Sequence, residues 1–102
     1  MKQAKSLTCY DHFAKYLEDC GLKGKTLTHY PDAIDRYLPV YIQRHINPDF
    51  DSFNDTKVEE IRALYDVLVK SNYWEKEIKY KTWKLRLNAF KYFISFKEKY
   101  NI

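Results

Sequence analysis

The sequence predicts an all-α fold, a compact bundle of four to five helices, and three observations carry that expectation. Apolar residues recur at steps of three and four in four successive segments, which is the spacing of one helical face. Gly supplies only two residues and Pro three, too few for the turns of a β sandwich. A hydrophobic content of 45%, with 18% aromatic residues, argues against a disordered chain. The 102 residues support one core and fall short of two ordinary domains, so 1–102 reads as a single helical domain.

The first helix is expected at about 7–20, within SLTCYDHFAKYLEDCG, where Cys9, Phe13, Tyr16, Leu17 and Cys20 share a face. Ser6 or Thr8 is placed to cap its start, Asp11 adds negative charge to the first turn, and Gly21 supplies the stop. The second helix is expected at about 25–46 with a bend. Leu27, Tyr30, Ile34, Tyr37 and Leu38 form its stripe, and Val40, Tyr41, Ile42 and Ile46 continue it past Pro39. A start near Lys25 puts Pro31 inside the helix and demands a local distortion, because proline lacks the amide donor and crowds the carbonyl four residues back. NPDFDSFND reads as a loop from its density of Pro, Asp, Asn and Ser. The third helix is expected at about 56–71, with Val58, Ile61, Leu64, Tyr65 and Leu68 inward and Thr56 with Glu59 as a capping box. In NYWEKEIKY, Tyr73, Trp74 and Ile78 tuck under as a short helical turn before a fourth helix at about 79–99.

That fourth helix is the most basic stretch of the chain. Residues 79–100 hold seven Lys or Arg and one acid, Glu98, a balance of +6 within a total of +4, so the remainder sums to −2. At 100° per residue, Tyr80, Trp83, Leu87, Phe90 and Ile94 make one apolar stripe, and Leu85, Ala89, Tyr92 and Phe96 a second. A helix apolar on two sides packs between neighbours, so this one belongs at the centre of the bundle. Between the stripes run Lys81, Lys84, Asn88, Lys91, Ser95 and Lys99, with no acid among them. Charged groups resist unpaired burial, so this line is expected in water.

An ordinary solvated helix face mixes signs; this one does not, although Glu77 one turn earlier is placed to dilute its beginning. Lysines interspersed with Asn and Ser suit a polyanion, the cations neutralising phosphates while the neutral groups donate hydrogen bonds. Asn88 is the base-reading candidate, because an amide pairs with two atoms of an adenine edge. Lys23, Lys25, Thr26 and His29 form a second basic cluster at the start of the second helix, where free amides also favour phosphate. The candidate DNA-binding residues are therefore Lys23, Lys25, Thr26 and His29 together with Lys81, Lys84, Asn88, Lys91 and Ser95. The bland alternative is a lysine-rich solubilising surface.

No catalytic constellation accompanies these clusters. The sequence has no Walker loop, HExxH, nucleophile elbow or acidic metal cluster. Asp49, Asp51 and Asp55 lack the Gly turn and terminal Glu of a calcium loop. Cys9 and His12 lack a second pair at ligand spacing, so neither metal nor cofactor is expected. On one helix Cys9 and Cys20 stand roughly 16 Å apart, beyond disulfide reach, and read as reduced, semi-buried thiols. The ten tyrosines read as core packing with hydroxyls reaching the surface. No apolar h-region follows Met1 and no membrane-length apolar run occurs, so a soluble cytoplasmic protein is expected, with neither a membrane nor a small-molecule substrate as partner.

FAKYLEDCGLKGKTLTHYPDAIDRYL resembles the F..YL...G.s..T...Y...l..f pattern that opens the SAM-like core-binding domain of phage integrases and other tyrosine recombinases. Phe13, Tyr16, Leu17, Gly21, Thr26, Tyr30 and Ile34 are the matching positions. TWKLRLNAFKYFISF is similar to that domain's last helix through Thr82, Leu87, Ala89, Phe90, Phe93 and Phe96. The resemblance implies a four-helix domain that contacts duplex DNA through its second and fourth helices, with a catalytic domain elsewhere in a longer chain. The chain departs from the pattern at Pro31, Pro39 and the long NPDFDSFND loop. Residues 58–96 also resemble a helical segment ahead of nuclease domains in some restriction endonucleases, which again implies a DNA-associated module. Neither makes this chain an enzyme, since a recombinase needs a set of Arg and His around its tyrosine nucleophile, and the four arginines are scattered with no HxxR element. A protein-interaction or oligomerisation module is the alternative from a different class.

Overall fold

The computed structural model describes residues 6–100, so the first five residues of the Met1 stretch lie outside it, and its helices follow the expected order. Helix α1, Tyr10–Asp19, buries Phe13, Tyr16 and Leu17 on the expected face. It begins later than residue 7, because the Thr8 amide and hydroxyl both donate to Asn54 Oδ1, at 2.8 and 3.2 Å, instead of capping the helix. Cys9 is left as the N-cap without a side-chain bond. At the other end the Leu22 amide donates to Leu17 O and the Gly21 amide to Glu18 O, at 3.2 and 3.0 Å. This Schellman closure requires a left-handed residue, and Gly21 supplies it with φ of 92°.

Helix α2 covers 26–45 in three parts: α-helical Thr26–Asp32, a π-helical turn Ala33–Tyr37, and α-helical Leu38–His45. The early start is present, but the chain stays α-helical through Pro31, the expected place of the distortion, and the distortion comes after it as a widened turn before Pro39 rather than a break. Pro39 is its physical reason. In a regular helix the proline ring would crowd the Asp35 carbonyl and leave it without a donor, and a π turn immediately before it, in which the Leu38 amide reaches Ala33 O, relieves that conflict. The extra residue also re-aims side chains: Ile34 and Leu38 are fully buried, whereas Tyr37, counted with them in the expected stripe, is 41% exposed.

Helix α3, Val58–Lys70, buries Ile61 and Leu68. The expected capping box does not form, because the Thr56 hydroxyl donates to Ser52 O at 3.3 Å and Lys57 becomes the N-cap. A 3₁₀ turn, Tyr73–Lys76, follows. Trp74 stacks on Trp83 with centroids 6.0 Å apart and donates its indole N–H to Ser71 O at 3.0 Å. Tyr73 stays outside that packing and lies flat on the His45 ring at 4.6 Å.

Helix α4, Tyr80–Tyr100, packs against each of the other three helices, the central position its two apolar stripes imply. Those stripes are the margins of one broad face. Phe93, which belongs to neither stripe, is 0% exposed and meets Phe13 at 5.2 Å and Phe53 at 5.7 Å in edge contacts. Phe53 enters this core from the 46–57 connection, which Gln43 holds by donating its amide to Phe50 O at 2.6 Å. Asn54 holds it from the other side by donating to Ser6 O at 2.9 Å. Burying each such ring contributes roughly 1.5–3 kcal/mol, which is why an otherwise polar loop stays packed.

Candidate nucleic-acid interface

The buried side chains of α4 centre on Phe93, and the line Lys81, Lys84, Asn88, Lys91, Ser95 lies about 120–180° around the axis from it. Packing α4 into the core therefore drives this line outward. Lys81, Lys84, Lys91 and Ser95 are exposed and Asn88 is half-buried. Among the described residues, Lys81, Lys84 and Lys91 make no ion pair. The two acids nearest in sequence are engaged by other helices. Glu98 Oε1 accepts from Arg62 Nη2 at 2.7 Å, while Glu77 binds Arg44 Nη1 at 3.1 Å and lies 2.5 Å from His45 Nε2. Glu77 is thus drawn to the C-terminal end of α2 instead of diluting the basic line. Lys99 ends the line with its ammonium over the Tyr16 and Tyr100 rings, at 5.7 and 5.4 Å.

Helix α2 brings part of the second cluster to the same place. The Tyr30 ring meets Tyr92 at 5.8 Å, which seats the first turns of α2 beside α4. Burial, and secondarily the neighbouring Tyr92, push the Tyr30 phenol's pKa up, so it stays a neutral donor. Tyr30, Lys81, Lys84 and Asn88 share a cleft of about 390 Å³, and His29 shares an adjoining cleft of about 340 Å³ with Lys81. Lys23 and Lys25 are exposed in the turn before α2 and Thr26 is half-buried; none of the three lines either cleft. Lys91 and Ser95 continue the line beyond the clefts.

Three further residues stand at this site that the sequence reading did not select. Arg86 is half-buried, with its guanidinium carbon 4.5 Å above the Tyr37 ring. Burial pushes its pKa down from the usual arginine range, against the opposing fields of Tyr37 and Glu77. Its direction on the helical wheel falls beside Phe93, so a basic residue pointing at the core was the available signal. Tyr37 is turned to it by the π turn, which periodicity does not encode. Asp32 lines the smaller cleft, and its Oδ1 accepts from the Tyr10 hydroxyl at 2.6 Å. Burial, followed by the Asp32 bond and charge, pushes Tyr10 up to about 12.

Among the described residues no group of His, Cys, Asp and Glu could hold a metal ion, and no helix is long and apolar enough to cross a membrane. Both cysteines are free; Cys9 is half-buried, whereas Cys20 is exposed and not semi-buried as expected. It lies at the end of α1, where the chain turns away from the core at Gly21. Comparison with protein-family models, with curated proteins and with solved structures finds no match to this chain.

Proposed function

We propose that the chain is a non-catalytic DNA-binding domain that sets the cationic edge of α4 against duplex phosphates and the groove beside them. The observation that carries this reading is the exposed line of Lys81, Lys84 and Lys91, held along the central helix while Glu77 and Glu98 are engaged elsewhere. From Lys81 to Ser95 the line runs about 21 Å, the length of roughly six base-pair steps. Lysines at this spacing displace condensed counterions, and the Asn88 amide between them suits the two-point edge of adenine. His29 and Tyr30 extend the surface onto α2. Resemblance to the core-binding domain of tyrosine recombinases supports the same two helices as the DNA-facing pair. It supplies the wider role: the core-binding part of a cytoplasmic integrase that acts in DNA integration and recombination, with a catalytic domain in the same longer chain. The helical module of a restriction endonuclease differs only in the attached enzyme.

The exposed aromatics Tyr73 and Tyr80 favour a second reading, a protein-interaction or oligomerisation module. Salt separates the two. Three phosphate contacts predict a log–log slope near −2.7, so duplex affinity falls about fortyfold between 50 and 200 mM salt. An aromatic interface responds far less. In fluorescence anisotropy with a labelled duplex, Lys84→Glu combined with Lys91→Glu flattens that slope by about two units. A double variant that is folded and binds as the parent does would remove this face from the interface.

A further inference from the structure

The smaller cleft, between the π-helical turn of α2 and the first turns of α4, has a chemistry that duplex phosphates leave unexplained. Its walls include apolar Ala33 and Leu85 and the Tyr37 ring. Arg86, Lys81 and His29 bring basic groups to it, yet the Asp32 carboxylate stands among them. Among the described residues no ion pair joins Asp32 to Arg86 or Lys81, so the cleft brings residues of opposite charge together without pairing them. A volume of about 340 Å³ lies at the lower end of small-molecule sites.

We propose that this cleft binds a nucleoside monophosphate, either as a free nucleotide or as one unstacked nucleotide of a single strand. Its phosphate meets Arg86 and Lys81, and its base lies against the apolar wall with an exocyclic amino group toward Asp32. The inference touches the duplex reading through Lys81 and His29 and stands without it.

Arg86 fits the phosphate role because its guanidinium already lies over the Tyr37 face, at 4.5 Å. Among the described residues its N–H groups make no hydrogen bond or ion pair, which leaves them for a two-point bond to phosphate oxygens. Asp32 favours a nucleotide over an inorganic anion, since only the nucleotide brings a donor that offsets the carboxylate's repulsion of phosphate. One of its oxygens is taken by Tyr10, and the other is left for a donor. An amino-bearing base satisfies the carboxylate and covers the apolar wall, which a bare phosphate leaves idle.

The test is calorimetric titration of the full chain with adenosine, cytidine and uridine 5′-monophosphates and with inorganic phosphate. Adenosine and cytidine monophosphates are expected to bind more tightly than uridine monophosphate, which presents no amino group, and inorganic phosphate to bind least. Arg86→Gln weakens nucleotide binding about tenfold or more. Asp32→Asn narrows the gap between cytidine and uridine. Thr82→Phe, at an exposed wall position, blocks the cleft without touching the core and guards against a folding defect in the Arg86 variant. The Lys84→Glu/Lys91→Glu variant gives the reverse pattern, with nucleotide binding retained and duplex binding lost. Competition by a single-stranded oligonucleotide would assign the ligand to a strand, and its absence to the free nucleotide; both keep the site. Nucleotides that give no heat at millimolar concentration, or inorganic phosphate binding as tightly as they do, would overturn it.

Discussion

Lys91 and Lys97 stand on the same helix fewer than two turns apart, and the fold treats them oppositely. Lys91 is exposed with no ion pair among the described residues, whereas Lys97 is 3% exposed with its ammonium 6.0 Å from the centre of the Phe93 ring. The buried cation acts on its surroundings: burial raises the Cys9 thiol pKa, and the Lys97 charge pulls it part of the way back. Residue type therefore says little here about role. Direction around the α4 axis decides whether a lysine is offered to a ligand or absorbed into packing, because the aromatic core claims one side of the helix and leaves the other to water.

The comparison breaks most sharply at the centre of the buried side. Phe93→Ala is expected to cost about 3–5 kcal/mol in denaturant unfolding, since it leaves a ring-sized cavity between Phe13 and Phe53. An unchanged midpoint would deny Phe93 its place in the core. In the same assay, Lys84→Glu with Lys91→Glu should move stability by only about 0.5 kcal/mol per site, while changing duplex affinity as described above.

Removing the clasp between α2 and the segment before α4 is the next effect in size. Glu77→Gln should cost about 1 kcal/mol, because both the Arg44 and His45 contacts lose the carboxylate charge and Arg44 is itself partly solvated. Equal thermal midpoints for variant and parent would make the clasp ornamental. Lys97→Met tests the opposite lysine: unfolding measurements should show stability held, or raised by up to about 1 kcal/mol, as the cation's desolvation cost disappears. Clear destabilisation would mean that the ring contact outweighs that cost.

The smallest effect is alkaline. Tyr10 titrates at about 12 in the folded chain against an ordinary value of 10.0, so the fold favours its neutral form. Its contribution is complete below pH 10 and is lost as pH climbs toward 12. Tyr10→Phe should flatten that limb of melting temperature against pH; an unaltered limb would assign the loss to other groups.

Much of the fold was legible because helical periodicity is a local signal. The inward faces of α1 and α3, the stop at Gly21 and a proline-driven distortion within α2 each follow from residues within a few positions of one another. The two failed caps have different causes. Thr8 is claimed by Asn54, 46 residues away and invisible to a local rule, whereas Thr56 turns back to the Ser52 carbonyl only four residues before it. Phe93 escaped the two-stripe description because it lies between the stripes, and the burial of Phe53 escaped because its neighbours are polar.

At the candidate site the division is similar. The cationic line of α4 could be counted residue by residue, and its sidedness follows from 100° per step. The seating of His29 and Tyr30 beside it could not, because that depends on how α2 crosses α4.

By itself, then, the sequence determined where the helices lie to within a few residues, most of each apolar face, and that α4 carries unbalanced positive charge, all consequences of backbone geometry and side-chain solvation. Only the tertiary structure decided that Glu77 and Glu98 are drawn to other helices, that Lys97 is enclosed, and that Arg86, Tyr37 and Asp32 meet around one cleft. The physical reason is that charge pairing and enclosure depend on distances through space, and those distances exist only once the aromatic core has set the helices against one another.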